Sequence, residues 1–333
     1  MRNRKKWRKI PVQITPIKDE IFSRYKGLIE TDILSDKIVA IIGLGSGGSY
    51  IALELGICGV GKIICIDHDR LEVGNVSRHV AGLSHVGRYK AHIMADLILD
   101  RNPNAKVYPL VMEVNFDNKP TVRKSIKKAD VVFICTDNRE SRLILNRLCV
   151  EENKPFIMAA AFSRAYGGQI HVFNGTGISP CYQCFLSYLP EEANDVEISS
   201  PEQAQEIAYS DREVPVEPGL LNDIKPISQM VVKIGGQILL KDKETTLRSL
   251  DKDLIAPWYI WLNRREKGTP YEKLEPLKYY VDGMHILRWY GIDLKRNEAC
   301  PVCGDFEKYA LNNHEPISDN KKDSQSNEPT SRK

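Results

Sequence analysis

The 333-residue sequence predicts a doubly wound α/β fold built on a mostly parallel sheet, with a four-cysteine metal site tying down its C-terminal segment. Three observations carry that expectation. Ile38 to Asp69 reads as a buried strand, a glycine-rich turn, a helix and a second strand ending in an acid. Strand and helix patterns then alternate to about Asn174, as open sheets with helices on both faces require. Two C-x-x-C pairs, Cys181/Cys184 and Cys300/Cys303, stand far apart in the chain.

Taken in order, residues 1–18 form a basic arm beginning MRNRKKWRK, read as a solvated tail. Residues 19–30, DEIFSRYKGLIE, read as a short amphipathic helix. Ile38 to Ile42 is a continuous apolar run, the pattern of a strand covered on both faces. Gly43, Gly45 and Gly48 give G-x-G-x-x-G, and Ser49 to Leu55 can continue as helix. Such a turn brings backbone N–H groups and a helix N-terminus up to a phosphate. Ile63 to Ile66 is the second strand, and Asp67 closes it about 20 residues after the glycines, where a ribose hydroxyl is usually held.

Further elements follow. Lys90 to Asn102 is helical and stops before Pro103. Ala105–Met112 is a strand, 121–128 a helix, Val131–Cys135 a buried strand and 141–153 a helix. Strands are expected at 156–161 and 168–173. The polar, acidic stretch 187–217 reads as a mobile crossover loop of a length that is usually functional or disordered. Leu220 to Leu240 is an apolar helix in which Gly235 and Gly236 allow close packing, and 254–299 holds aromatic strand-like pieces. Residues 311–333 are too polar to bury a core and are expected to be disordered.

Composition excludes several classes. An apolar fraction of 42% supports a sizeable core, and a net charge of +3 implies no nucleic-acid partner. No apolar run approaches the ~20 residues that span a bilayer, and the N-terminus lacks the apolar segment of a secretory signal. Eight cysteines, four of them in C-x-x-C pairs, point to a reducing compartment, the cytoplasm by default. Four thiolates in two close pairs make a closed tetrahedral zinc site, structural in kind.

Behind the glycines stand, in order, Asp67-His68-Asp69, Asn75-Val76-Ser77-Arg78, Gly87-Arg88-Tyr89-Lys90 and Cys135-Thr136-Asp137-Asn138, and then the two cysteine pairs. On these residues the chain resembles the ThiF/MoeB/HesA family, bacterial relatives of the adenylation domain of ubiquitin-activating enzymes. The similarity covers roughly Phe22 to Gly304, so residues 19–310 are expected to form one adenylation domain.

The resemblance implies adenylation, with ATP and Mg²⁺, of the C-terminal glycine of a small ubiquitin-like β-grasp protein. It implies a homodimer and a separate sulfur donor or conjugation partner. Asp67 would hold the ribose, and Arg78 and Lys90 the phosphates. Asn75 would fix the same loop or contact phosphate, Asp137 would hold Mg²⁺, and Asp69 would orient neighbouring groups. Each also has a plain structural reading. Asp67 caps a turn, Arg78 and Lys90 are solvated charges, and Asp137 caps the following helix. His68, His79, His85 and His92 share no ligand spacing and read as surface or packing residues.

Two departures from the family pattern stand out. Many members carry a cysteine in the crossover loop that receives the activated acyl group. Here the matching stretch is Val214–Gly219 with Pro215 at that place, and Cys58, Cys65, Cys135 and Cys149 sit in apolar contexts, so no thioester is expected on this chain. Relatives also show R-Y-x-R near the start, whereas this chain has Arg24-Tyr25-Lys26-Gly27. Two readings from other classes compete: a nucleotide-binding scaffold without turnover, and an NAD-dependent oxidoreductase. The latter leaves Arg78, Lys90, Asp137 and the cysteine pairs without a common purpose.

Overall fold

The structure is a computed structural model that describes residues 20–188, 218–274 and 283–305. The basic arm, most of the 187–217 loop and the 311–333 tail lie outside the described residues.

Eight strands form one sheet: β1 Ile38–Ile42, β2 Lys62–Ile66, β3 Lys106–Leu110, β4 Val131–Ile134, β5 Phe156–Ala161, β6 Gly167–Phe173, β7 Trp258–Leu262 and β8 Trp289–Ile292. Their spatial order is β3-β2-β1-β4-β5-β6-β7-β8. The first five in that order run parallel, and β6, β7 and β8 add on antiparallel. The mostly parallel sheet is therefore as expected, with an antiparallel extension at one side.

Seven α-helices are described: α1 Thr31–Asp36, α2 Ser46–Ile57, α3 Lys90–Arg101, α4 Lys119–Lys128, α5 Arg139–Glu151, α6 Tyr182–Tyr188 and α7 Leu221–Leu239. They cover both faces of the sheet. Alternate residues of a strand face opposite layers, so Val39 and Ile41 pack with Ile51 and Leu55 of α2, Met94 and Ile98 of α3 and Val231 and Ile234 of α7. Ala40 and Ile42 pack into the other layer with Val122 of α4, Leu145 and Leu148 of α5, and Tyr182 and Phe185 of α6. This two-sided burial is why the parallel strands read as unbroken apolar runs. Gly235 of α7 is a close-packing site: a Cβ there would lie 2.6 Å from the Phe133 ring.

Two expectations need correction. The helix read over 19–30 is instead a short 3-10 turn, Ser23–Tyr25, followed by α1 at Thr31–Asp36. Gly27 adopts φ 81°, the left-handed conformation that ends a right-handed turn, so one amphipathic pattern is split in two. The expected Asp137 cap of α5 falls one residue later, on Asn138, whose side chain accepts the Ser141 N–H at 2.8 Å.

Candidate functional site

The strand order reverses between β1 and β4, since β1 pairs with both β2 and β4 and the chain passes outward on each side. In open α/β sheets, ligands bind beyond the strand C-termini at this switch point. The turn after β1 and the turn after β4 meet there. A Cβ on Gly43, at φ 89°, would lie 2.6 Å from the Cys135 carbonyl, and one on Gly48 would lie 1.9 Å from the Gly43 oxygen. Gly43 and Gly48 are thus demanded by the protein's own backbone. Gly45, at the start of α2, differs: a Cβ there would meet nothing within 4 Å, so its side of the turn is open.

The turn is pinned at its centre. The Asp67 carboxylate accepts the Leu44 N–H at 2.6 Å and, through its other oxygen, the Asp69 N–H at 2.8 Å. His79 lies 2.9 Å from the Leu44 carbonyl through Nε2 and accepts the Ala81 N–H on Nδ1 at 3.0 Å. A ring that accepts on Nδ1 and faces a carbonyl with Nε2 is the neutral Nε2–H tautomer. Burial pushes His79 down to about 4, which keeps it neutral. Burial also raises Asp67, against the lowering effects of the Leu44 N–H and of nearby Lys90. Asp67 therefore does cap the turn, and each of its oxygens keeps lone-pair capacity for a further donor.

Lys90 is no solvated surface charge. Its side chain is only 10% exposed, and Nζ donates to Asp69 Oδ2 at 2.8 Å. Asp69, expected to orient neighbouring groups, is the acceptor in that contact. Asn75 accepts the Glu72 N–H on its side chain and the Arg78 N–H on its backbone carbonyl, so it fixes the loop that carries Arg78. Arg78 is half-buried, and a Cβ on Gly219 would come within 3.8 Å of its guanidinium, which places it beside the chain entering α7. Ser228 of α7 donates to the Gly47 carbonyl, closing the glycine turn from above. Asp137 is exposed on the loop after β4.

Gly43, Gly45, Gly48, Asp67, Asp69, Asn75, Arg78, Lys90 and Asp137 thus sit on the β1, β2 and β4 ends and the loop after β2. Two hydroxyls at the same edge, Ser49 Oγ and Thr136 Oγ1, are buried without a hydrogen-bond partner, as a site awaiting a polar ligand would leave them. By contrast, a cleft of about 520 Å³ lined by Asp32, Asp36, Lys37 and Asp130 opens at the edge where the strands begin. The turn carrying Arg24 follows Phe22, which lines a second cavity at that far edge, so within one chain Arg24 and Lys26 are remote from the glycine turn. His79 is the residue that sequence reasoning undervalued. The sequence reads it only as a surface or packing histidine, and nothing there ties it to Leu44, 35 residues earlier.

The second cluster is buried. Cys181, Cys184, Cys300 and Cys303 place their sulfurs within 4.8 Å of one another. Measured pairs are 3.7 Å for Cys181–Cys300, 3.4 Å for Cys184–Cys303 and 4.0 Å for Cys181–Cys184. Four sulfurs at ~2.3 Å from a tetrahedral zinc are ~3.8 Å apart, so the donor set and spacing fit that ion. Shared hydrogen bonds from Cys181 and Cys184 pull the Cys303 thiol down, while Cys184 and Cys303 push Cys181 up. The sulfurs share hydrogen bonds with one another, and a divalent ion would let all four ionise.

The other thiols lack nucleophile character. Burial raises Cys65 and Cys135 to about 12 and raises Cys58 and Cys149 as well, although Cys58 and Cys135 are half-buried and not enclosed as their apolar contexts suggested.

A glycine turn at the switch point of a doubly wound sheet, with a buried acid and lysine beside it, defines an α/β protein of nucleotide-binding architecture, and its four clustered cysteines could hold a metal. The profile described as "ThiF family" matches residues 21–246, and the chain belongs to that family. It is 30% identical over 175 residues to the Sulfur carrier protein ThiS adenylyltransferase of Escherichia coli (strain K12), covering 50% of this chain and 68% of that enzyme. It is 33% identical over 162 residues to the Adenylyltransferase and sulfurtransferase MOCS3-1 of Zea mays, covering 48% and 33%. It is 29% identical over 163 residues to the Ubiquitin-like modifier-activating enzyme 5 of Caenorhabditis elegans, covering 46% and 39%. The matches thus span between a third and two fifths of those last two relatives. The fold is shared with E. coli MccB, crystallised with MccA-N7isoASN, at TM-score 0.59 and 18% identity over 83% of this chain and 69% of MccB. Among the described residues no helix is long and apolar enough to cross a membrane.

Proposed function

We propose that this chain adenylates the C-terminal glycine carboxylate of a small ubiquitin-like β-grasp protein, using ATP and Mg²⁺. A carboxylate oxygen attacks the α-phosphorus, the bond to the bridging oxygen breaks, and pyrophosphate leaves, giving an acyl-adenylate. Both reactants are anions, so the site must neutralise charge and hold them in line. Asp67 accepts the ribose hydroxyls, Lys90 and Arg78 offset charge on the phosphates, and Asp137 holds Mg²⁺, which would screen the departing pyrophosphate. Asp69 and Asn75 keep Lys90 and Arg78 in place. Cys181, Cys184, Cys300 and Cys303 would hold a structural Zn²⁺. The chain works as a homodimer in the cytoplasm, and a separate sulfur donor or conjugation partner captures the acyl group, because no thiol here is poised to form a thioester.

One observation carries this reading: the turn whose open side is Gly45 is pinned through Leu44 by Asp67 and His79, with Lys90 buried beside it. A hydride-transfer site would have no use for a buried lysine–carboxylate pair, Arg78 and an exposed Asp137 around one turn.

Thermal shift with ATP·Mg, AMP and NAD tests it. A ligand at ~100 times its Kd adds about 2.7 kcal/mol, enough to read. The expected result is stabilisation by ATP·Mg, lost in Asp67→Ala. It should be followed by pyrophosphate exchange that depends on an added β-grasp protein ending in glycine. Stabilisation by NAD alone overturns the proposal, and ATP binding without exchange across a panel of such proteins favours the scaffold.

A further inference from the structure

Asn146 of α5 is a polar side chain with no exposed surface, set against Cys181 and the start of α6. Both ends of its carboxamide are used. Oδ1 accepts the first N–H of α6, from Tyr182, at 2.9 Å. Nδ2 points at the Cys181 sulfur, 3.8 Å away. The Tyr182 N–H fixes the amide's orientation, because the flipped amide would set donor against donor. A leucine would fill this place without the cost of burying an amide. A neutral thiol is a weak acceptor and would not offset that cost, whereas a thiolate is a strong one.

The surroundings follow the same logic. Four thiolates around a divalent ion leave two negative charges in a buried place. The Asn297 N–H points at the Cys184 sulfur at 3.5 Å, and the Arg296 guanidinium, largely buried, donates to the Cys303 carbonyl. Those two groups belong to the loop that also carries Cys300 and Cys303. Asn146 comes from a different element, α5, which starts two residues after Asp137.

We infer that Asn146 is a positioning residue for the metal: its amide N–H fixes the Cys181 thiolate while its carbonyl fixes α6, so that the zinc cluster is locked to α5. This rests on the zinc reading of the four cysteines. Partners of metal ligands of this kind are typically worth 10–100-fold in affinity.

The direct test uses the unaltered chain loaded with ¹¹³Cd²⁺. A scalar coupling between the metal and an Asn146 side-chain amide proton is the expected signature of an N–H···S bond. In parallel, Asn146→Asp keeps an acceptor for the Tyr182 N–H but replaces the donor with a carboxylate. It should weaken Zn²⁺ and Co²⁺ binding 10–100-fold in chelator competition and shift the thiolate-to-cobalt charge-transfer band. Cadmium bound at the cysteines with no such coupling, or Asn146→Asp binding Zn²⁺ as tightly as the parent, overturns the inference and leaves the zinc reading intact. No metal bound by the parent chain overturns both.

Discussion

The nucleotide edge and the cysteine cluster solve opposite problems with opposite means. At the strand C-termini the site is made largely of backbone: a turn whose shape two glycines allow, pinned at Leu44 by Asp67 and His79 and left open at Gly45. The cysteine cluster is made chiefly of four buried side chains, with the Asn297 N–H and the tight turn from Asn297 to Gly304 as its backbone share. The first must exchange ligands and so keeps Asp137, Arg78 and the Gly45 face reachable. The second, on the zinc reading, would hold one ion permanently, and Tyr182, Phe185 and Asn146 are buried around it. On the proposed roles, changes at the first should cost function without loss of fold, whereas changes at the second should cost stability.

That contrast breaks most visibly on metal removal. Zinc at ~1,000 times its Kd contributes about 4.1 kcal/mol. Chelation, or Cys300→Ser, should lower the unfolding free energy by a comparable amount, read as a lower midpoint in urea titration. An unchanged midpoint would mean the cluster is no staple. The loss should reach the nucleotide site only as far as α5 is loosened.

At the other region the expected effect is on chemistry. Asp137→Ala and Lys90→Ala should each lower pyrophosphate exchange by about 100-fold or more, the usual cost of removing one charge-stabilising group. Asp137 is exposed, and Lys90→Ala leaves an Asp69 carboxylate that water can reach, so both variants should keep the parent's melting temperature within a few degrees. Normal exchange in both would remove the proposed roles.

A third comparison stays inside one motif. Gly48→Ala sets a methyl 1.9 Å from the Gly43 oxygen, an overpacking that costs on the order of 1–3 kcal/mol. Gly45→Ala meets nothing, so stability should hold while nucleotide affinity falls. Equal stability loss in both would mean that Gly45 too is required by the chain itself and that its open face is not a binding face.

These pairs also show what could be read ahead of the structure. The β1–turn–α2–β2 unit was legible because burial on both faces writes an unbroken apolar run, and because the glycine spacing of such a turn is itself a sequence pattern. The cysteine pairs were legible because thiolate ligation constrains spacing. What stayed hidden depends on partners distant in sequence. His79 looked like any packing histidine until its ring met the Leu44 carbonyl, and Asn146 like any helix asparagine until it met Cys181. The α5 cap moved from Asp137 to Asn138 because both residue types cap equally well, and only the Asn138 backbone at φ −112°, ψ 147° decides between them. The pattern over 19–30 misled because Gly27 breaks an otherwise amphipathic run.

His79 yields the subtlest test, since it couples the nucleotide turn to pH. Its folded value of about 4 lies below the ordinary histidine value of 6.5, so the folded state resists a proton that the unfolded chain accepts. The stabilisation is fully present above about pH 6.5 and is lost progressively as pH falls toward 4. Between pH 7 and pH 5 the loss should be about 2 kcal/mol. Asp67 acts with the opposite sign, because its raised carboxyl takes up a proton more readily in the folded state as pH falls. Subtraction separates the two: His79→Gln keeps a donor for the Leu44 carbonyl but cannot titrate. Its urea midpoint should fall less than the parent's between those pH values. Parallel pH profiles in the two proteins would show that His79 is not held neutral, and with that the tautomer assigned from its contacts would fall.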